Sequence, residues 1–543
     1  MKKGLAIATC LTLLFGVLAG CSNSSAPAEP TGSTTPTEAT KTEPMVLKWS
    51  INSEPPSMDP GIAVDADSFD MIYAAFEGLT SYDTNGQLVN ATAESFTNSP
   101  DYMNYTFKIR KDAKWSNGDP VTAHDFVYAI KRNLDPKTAS EYAYQLYYIK
   151  GGEEYNTGKG KAEDVGVKAV DDYTVEFNLK SPTPFFRELT FFPTLFPLHQ
   201  KTLEGNPKWA DEAKTIVGNG PFIMDTWEHK SRIVFTKNPN YWDRNNVKLD
   251  RIEIAMIEDN NTAFSMFENG DIDWGGYPAS TLPTDAIPTL KDAGKLMVAD
   301  NPGTQSVVFN TNKPPFNNKK IRQAFAYAIN RQEIIDNILQ TGVPAAYGWV
   351  PTSMGLKPDG YFKEDQAKAK ALLEEGMKEL GLSTFPTVTY TFDSNDTNKK
   401  LAEALQDQWK KALGVDVKLY TAELKVYRDM RSQANFDMIR FQWGADFNDP
   451  INFLEMFRDK TGGNNHPDWE NATFKELIDK SYNEPNLDER KKILLEAETI
   501  LMEEMPLAPI NFRGSPYVKN DKVKDFIIFP LGGAYFKYTS VNP

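Results

Sequence analysis

Short runs in which every second side chain is apolar recur in the first third of the chain. The clearest are residues 45–51, 105–109 and 173–177. Alternate residues of a strand point to the same face, so this period predicts half-buried β-strands. A helix is predicted to begin at residue 123, because Thr122 is a good N-cap residue and an amphipathic segment follows it.

Apolar residues spaced for one face of a helix dominate the second half of the chain. One stripe consists of Leu401, Leu405, Trp409 and Leu413, and another of Ile321, Phe325, Ile329 and Ile338. The first stripe ends at Gly414, a residue type that commonly terminates helices, and a strand is predicted at 415–419. A further helix is predicted at about 487–502. Helices that alternate with short strands indicate α/β domains on mixed sheets, and these stripes are core positions.

The length and charge of the chain narrow the classes of protein and partner. At roughly 150 residues per domain, 543 residues correspond to about three domains with large cores. The 59 Lys and Arg residues against 74 Asp and Glu residues give a net charge of −15. A protein that binds nucleic acid needs a basic surface, so no nucleic-acid partner is expected, and cationic or zwitterionic ligands are favoured.

The first 21 residues have the pattern of a secreted bacterial lipoprotein. Lys2 and Lys3 precede an apolar run over residues 5–18, and small residues lead to Cys21. We predict a signal peptide at 1–20, since the run is too short for a stable membrane span. Cys21 is then the first mature residue, whose thiol carries the lipid. The alternative is an ordinary signal peptide with an incidental cysteine.

Residues 21–45 are predicted to form a flexible tether to a body that starts near Met45. The segment 22–44 is almost wholly Ser, Thr, Ala, Pro, Glu and Gly, a composition that buries no core. More than one acyl chain on Cys21 would anchor the protein durably to the membrane. Cys10 is the only other cysteine, so neither a disulfide framework nor a cysteine metal site is expected.

Recognisable catalytic motifs are missing from the sequence. It contains no Walker loop, no G-x-G-x-x-G, no G-x-S-x-G and no H-E-x-x-H. The segment 393–404 begins like a calcium loop, but it has Asn398 where that loop needs glycine and Ala404 where it needs glutamate. We therefore predict no metal, no cofactor, no catalytic residue and no enzyme activity, with a dispersed hydrolase triad as the remaining alternative.

Several long motifs resemble the family-5 extracellular solute-binding proteins over about residues 46–540. They lie at 75–80 (AFEGLT), 105–126, 219–222 (NGPF), 238–242 (NPNYW), 313–324 and 443–454 (WGADFNDPINFL). Within that family the chain is most similar to the oligopeptide-binding lipoproteins of Gram-positive ABC peptide importers.

The resemblance implies an α/β fold of the periplasmic-binding-protein type, in its large three-domain form (type II), with two lobes that close on a ligand cleft. Domain I is expected to be discontinuous, at 46–80, 213–303 and 514–543. Domain II is expected at 81–212 and domain III at 304–513. The crossings between the lobes then act as the hinge.

The resemblance also implies a peptide-binding site. Asp446 corresponds to the carboxylate that pairs with the peptide α-ammonium, and Arg440 to an arginine that meets the peptide carboxylate. Strands that pair with the peptide backbone are placed at Val64, Asp65 and Ala66 and at Gly444 and Ala445, and side-chain pockets at Trp443 and Tyr142.

Each assignment has a structural alternative. Asp446 is also suited to a turn before Pro450, and Arg440 to an ion pair. Trp443 is also suited to the core, and Tyr144 can take the place of Tyr142.

Three positions depart from the family pattern. Asn398 stands where relatives can carry a histidine, Leu424 where tryptophan is frequent, and residues 511–513 (NFR) where an aromatic run is found. Arg513 is therefore a second candidate for binding a carboxylate. The sequence leaves open which arginine meets the ligand.

The implied function is that of a monomeric receptor, lipid-anchored on the extracellular face of the cell membrane. It would capture oligopeptides and deliver them to the permease subunits of an ABC importer. A dipeptide, nickel-chelate or sugar receptor of the same fold is an alternative, as is a peptide sensor without transport. Asp446 and Arg440 together favour peptides, since the other ligands lack the paired charged termini.

Overall fold

Strands and helices alternate along the part of the chain that the computed structural model describes, namely residues 43–394, 396–460, 464–529 and 532–542. The strands are β1 (Val46–Ile51), β2 (Thr80–Tyr82), β3 (Leu88–Asn90), β4 (Ala93–Asn98), β5 (Asn104–Ile109), β6 (Val167–Asp171), β7 (Thr174–Asn178), β8 (Phe222–Glu228), β9 (Arg232–Lys237), β10 (Arg251–Met256), β11 (Trp274–Gly276), β12 (Met297–Phe309), β13 (Val388–Asp393), β14 (Val417–Ala422), β15 (Met438–Gly444), β16 (Leu507–Lys519), β17 (Val523–Lys524), β18 (Ile527–Ile528), β19 (Ala534–Tyr535) and β20 (Ser540–Val541).

The helices lie mostly between strands and cover the sheets. They are α1 (Ala66–Ala75), α2 (Ala123–Leu134), α3 (Gly152–Asn156), α4 (Phe186–Leu189), α5 (Gln200–Gly205), α6 (Asn260–Asn269), α7 (Ala286–Asp292), α8 (Lys319–Tyr327), α9 (Arg331–Ile334), α10 (Gln366–Glu379), α11 (Asp396–Leu413), α12 (Leu424–Ser432), α13 (Ile451–Leu454), α14 (Ala472–Tyr482) and α15 (Leu487–Glu504).

Three sheets of four or more strands organise the described residues. The first has the order β1-β10-β9-β8, with β1 parallel to β10 and the other pairs antiparallel. The second, β4-β5-β7-β6, is wholly antiparallel. The third has the order β11-β16-β12-β15-β13-β14, in which β13 runs parallel to both of its neighbours. Mixed sheets with helices between their strands make the fold α/β, which confirms the predicted class.

The two longest strands, β12 and β16, pair with each other in two halves. Residues 297–300 pair with 514–517, and residues 304–308 pair with 507–512, with a shift of register between the halves. The predicted domain boundaries at 303/304 and 513/514 fall at this irregularity. The division into three domains stays a prediction.

Most of the predicted elements are present. The three alternating runs coincide with β1, β5 and β7, and α2 begins at Ala123 with a capping box between Thr122 and Asp125. Helix α11 ends at Leu413, and Gly414 follows it with φ +71, a conformation that glycine adopts without strain. Helix α15 covers the segment predicted at 487–502.

One apolar stripe was misassigned as a single helix. Helix α8 ends at Tyr327, and α9 begins only after Asn330, whose side chain accepts a hydrogen bond from the Glu333 amide. This N-cap starts a new helix, so Ile321 and Ile338 do not share one helical face. The apolar spacing does mark core positions, since Ile321 is buried. It continues, however, past the end of α8 into a separate helix.

The predictions for the N-terminus, namely the signal peptide at 1–20, Cys21 and most of the tether, lie outside the described residues. Met45 is already part of the fold, because its amide donates to Asp250 Oδ2 at 2.8 Å. None of the described helices combines the length and the apolar character that a membrane span requires.

Candidate ligand-binding site

Asp446 lies just past the end of β15, where the chain leaves the six-stranded sheet. Its side chain is partly buried, and burial raises the pKa of its carboxyl group. The Asp446 amide donates to Asn452 Oδ1 at 3.1 Å, and the Trp443 indole Nε1 donates to the same oxygen at 3.1 Å. Asn452, buried in α13, therefore fixes both ends of the segment 443–446.

A buried ion pair holds the turn that follows Asp446. Arg490 Nη1 and Nη2, from α15, donate to the two carboxylate oxygens of Asp449 at 2.7 and 2.9 Å. Asp449 Oδ1 also accepts a hydrogen bond from the Ile451 amide at 2.9 Å. The Asp449 carboxylate therefore caps this turn, whereas the Asp446 carboxyl group interacts with the Asn452 side chain; the ligand role of Asp446 stays a prediction.

Two cavities meet at Asp446. One of about 590 Å³ is lined by Asp446, Glu455 and four tyrosines, Tyr144, Tyr147, Tyr148 and Tyr482, among others. The other, of about 430 Å³, is lined by Trp443, Asp446 and Tyr144 among others. A carboxylate at the junction of two roomy cavities can contact a ligand that enters either one.

The cavities are acidic. Glu455 is partly buried, and burial raises its pKa to about 6, with a further contribution from Asp449 and Asp446. Its carboxylate accepts a hydrogen bond from the Tyr482 hydroxyl at 2.7 Å. Three carboxylates, Asp446, Glu455 and Asp479, line this cavity with one cation, Lys180, and the excess of negative charge favours a cationic ligand group.

Both candidate tyrosines lie near Asp446, whose charge adds to the effect of burial in raising their pKa. The Tyr142 ring packs against Phe192 and Phe69, with centroids 4.9 and 5.8 Å apart. Tyr144 is more exposed and lines both cavities. The side-chain role predicted for Tyr142 stays a prediction, and Tyr144 is the better placed of the two.

Arg440 is engaged in an ion pair, the alternative that the sequence left open. Its Nη1 lies 3.3 Å from Asp393 Oδ1, and its Nη2 donates to Gln442 Oε1 at 2.9 Å. The same Asp393 accepts two hydrogen bonds from Asn398 Nδ2, at 3.0 and 3.1 Å. Asp393 ends β13 beside β15, a proximity that spacing in the sequence does not reveal. Leu424 begins α12, and its side chain lies outside the described residues.

The backbone beside Asp446 offers a partly open strand edge. β15 pairs with β12 over residues 438–444, but with β13 only at Met438 and Ile439. Residues 440–444 therefore have one strand neighbour among the described residues. The Ala445 amide is taken, since it donates to the Pro302 carbonyl at 2.9 Å. The Arg440 carbonyl is also taken, because it accepts a hydrogen bond from the Tyr427 hydroxyl, so residues 441–444 are the part of this strand that can still pair.

Val64, Asp65 and Ala66 do not form a strand, since α1 begins at Ala66, and their contact with a ligand stays a prediction. Asp65 is the N-cap of α1, and its carboxylate accepts hydrogen bonds from the Ser68 amide and hydroxyl at 2.9 and 2.8 Å. This cap starts a helix at Ala66 and stops any strand. Val64 is 41% exposed and Asp65 has extended dihedral angles, so only the short segment before the helix is suited to backbone pairing.

Aromatic stacking joins the site to the segment predicted as domain II. The Phe447 ring stacks on Phe185 with centroids 4.7 Å apart, and the Tyr148 ring meets its edge at 6.3 Å. The loop that carries Asp446 therefore lies between the six-stranded sheet and the region of the β4-β5-β7-β6 sheet. Within the described residues, no group of three or more His, Cys, Asp or Glu is placed to hold a metal ion.

This fold combines mixed sheets, the long paired strands β12 and β16, and acidic cavities beyond the end of β15. It is the fold of a two-lobed α/β binding protein of the periplasmic-binding type. The family model described as "Bacterial extracellular solute-binding proteins, family 5 Middle" matches residues 87–465. The chain belongs to the family-5 bacterial extracellular solute-binding proteins.

Individual relatives match over nearly the whole chain. The "Oligopeptide-binding protein OppA" of Bacillus subtilis (strain 168) is 43% identical over 99% of this chain and 99% of its own. A structure of "MppA Periplasmic Murein Tripeptide Binding Protein, Unliganded Open Form" has a TM-score of 0.84 at 30% identity, covering 92% of this chain and 98% of that one. "Listeria monocytogenes OppA bound to peptide" has a TM-score of 0.68 at 32% identity, covering 92% and 100%. Of these two structures, the open one is the more similar.

Proposed function

We propose that the protein is an extracellular receptor that captures oligopeptides and delivers them to an ABC importer. The similarity to proteins named for oligopeptide binding supports this, as does the similarity to a structure with bound peptide. The observation that carries the proposal is the state of Asp446. Its carboxylate is partly buried, borders two cavities and has no cation within ion-pair distance among the described residues.

An α-ammonium group is the partner that Asp446 lacks. Every linear peptide with a free N-terminus carries one, so this contact is independent of sequence. Burial makes an unpaired carboxylate costly, and pairing it with an ammonium offsets that cost. Glu455 in the same cavity adds to the negative potential that attracts the ligand.

The peptide backbone is the second constant feature of the ligand. We place it along the open edge of β15 at residues 441–444, where an added strand would complete the missing pairing. The extended residues before α1, Val64 and Asp65, are proposed to contact its other edge, with Ala66 at the start of the helix. Trp443 and Tyr142, with Tyr144 beside it, are proposed to line side-chain pockets. Arg440 and Arg513 form the cationic end of the site.

The two lobes are proposed to move about β12 and β16. Domain I would comprise 46–80, 213–303 and 514–543, domain II would be 81–212, and domain III would be 304–513. The register shift between the halves of these strands supports a hinge there, since a break in pairing absorbs rotation with little loss of hydrogen bonds.

The receptor is proposed to act as a monomer held outside the cell by lipid on Cys21, with the segment up to residue 45 as its tether. Peptides, the permease subunits and the membrane are the proposed partners; with a net charge of −15, nucleic acid is not. The Gram-positive origin rests on the sequence similarity. A dipeptide receptor, or a peptide sensor without transport, are the second candidates that the same site allows.

Mass spectrometry of the ligand that co-purifies with the full chain, followed by calorimetry with peptides of two to eight residues, tests the proposal. We expect peptides to bind with free termini and to remain uncleaved after incubation. Binding of nickel chelates or sugars in preference to every peptide would overturn it. Preference for two-residue peptides would favour the dipeptide candidate.

A further inference from the structure

The Arg513 side chain lies across two facing glycines at the centre of the six-stranded sheet. Gly303 of β12 and Gly444 of β15 are register partners. A Cβ atom on Gly303 would lie 2.4 Å from Arg513 Cδ, and one on Gly444 would lie 2.5 Å from Arg513 Nη1. Any residue other than glycine would place a Cβ atom in this space. The two glycines therefore allow the Arg513 side chain to pack directly on the backbone of the sheet.

Arg513 has no counter-ion among the described residues. It forms neither an ion pair nor a hydrogen bond there, whereas the nearby Arg440 is paired with Asp393 and Gln442. The Arg513 side chain is partly buried, and burial lowers its pKa, with the positive charge of Arg440 adding to the effect. The Tyr277 hydroxyl is the other titratable group that acts on Arg513, and it raises the Arg513 pKa.

Arg513 is also correctly placed along the strand that would receive the ligand. Its guanidinium lies against Gly444, the last residue of β15, and Asp446 follows two residues later, just past the end of that strand. A partly buried cation without a partner, beside a strand edge that is also open, is suited to an anionic group of the same ligand.

We propose that Arg513 binds a carboxylate of the ligand, while Arg440 stays in its ion pair with Asp393. This rests on the proposed function as a peptide receptor. The carboxylate can be the C-terminus of a short peptide or an acidic side chain within the peptide. The chemistry is the same, a planar guanidinium that donates to carboxylate oxygens, so peptides must distinguish the two sources.

The test is calorimetry with the full chain and its Arg513→Gln variant. One pair of ligands compares a tripeptide acid with its C-terminal amide, and another compares glutamate with glutamine at the second residue of an amidated peptide. Lys418→Gln, an exposed position on β14, removes the same charge away from the site. Arg440→Gln tests the neighbouring cation.

We expect the unmodified protein to prefer the carboxylate member of at least one pair by about 10- to 100-fold, as for a charge-assisted hydrogen bond. Arg513→Gln should abolish this preference while amidated peptides bind as before, and Lys418→Gln should keep it. The affected pair identifies the source of the carboxylate. A preference that survives in Arg513→Gln and disappears in Arg440→Gln would overturn this inference but leave the receptor proposal standing. The absence of any preference in both pairs of ligands would do the same. If the unmodified protein binds no peptide, the receptor proposal fails, and this inference fails with it.

Discussion

Asn452 should be needed for ligand binding although its side chain need not touch the ligand. Its Oδ1 accepts from the Trp443 indole and from the Asp446 amide, both at 3.1 Å. The substitution Asn452→Ala removes both hydrogen bonds from a buried position. At about 0.5–1.5 kcal/mol for each bond, the free energy of unfolding should fall by about 1–3 kcal/mol.

The larger consequence is for Asp446, which loses the contact that fixes its backbone. We expect peptide affinity to weaken by about 5- to 30-fold, equivalent to about 1–2 kcal/mol, because the carboxylate must be reordered on binding. Calorimetry measures the affinity, and thermal unfolding measures the stability.

Asn483→Ala is the matched control, since Asn483 lines the same cavity and its amide donates to the Asp479 carbonyl rather than to the Asp446 loop. This control should change affinity less than twofold. If Asn452→Ala were destabilised yet bound peptides as tightly as the unmodified protein, the positioning role would be refuted.

Two further changes test how buried charged groups, Arg490 and Glu498, contribute to the free energy of unfolding. Arg490→Met leaves the Asp449 carboxylate buried without its bidentate partner, and we expect urea unfolding to show a loss of about 3–5 kcal/mol in the free energy of unfolding. The double variant with Asp449→Leu should recover part of this loss. A loss below about 1 kcal/mol for Arg490→Met would contradict the reasoning. Burial raises the pKa of Glu498 to about 7 from its ordinary 4.5, so the folded protein retains a proton that the unfolded chain has released. The contribution of this group to the free energy of unfolding should therefore fall by about 3 kcal/mol as the pH rises from about 4.5 to about 7. Glu498→Gln should flatten the pH profile over that range, and an unchanged profile would show that Glu498 titrates normally.

Local periodicity predicted the elements of the fold well, and its failures have a local cause. α11 and α2 follow from their apolar spacing together with Gly414 and Thr122, signals that lie within a few residues. The stripe from Ile321 to Ile338 failed because an N-cap at Asn330 interrupts it. The strand expected at 64–66 failed for the same reason, since the Asp65 side chain caps a helix.

The site could be predicted only where one segment carries it. Asp446 and Trp443 lie in a single motif, and the structure places both on the same cavity. Asn452 is six residues beyond Asp446, but nothing in the spacing shows that its amide faces back. The Arg490 partner of Asp449 and the Asp393 partner of Arg440 come from distant segments, and their proximity depends on how the sheet and α15 pack.

The central claim, that a peptide is held by its free N-terminus, is tested most directly by one double-mutant cycle. Calorimetry compares a free-amine peptide with its N-acetylated form, on the unmodified protein and on Asp446→Asn. We predict that acetylation weakens binding to the unmodified protein by about 30- to 150-fold, equivalent to about 2–3 kcal/mol, and by less than threefold for Asp446→Asn. Equal affinity of the unmodified protein for the two peptides would contradict the account.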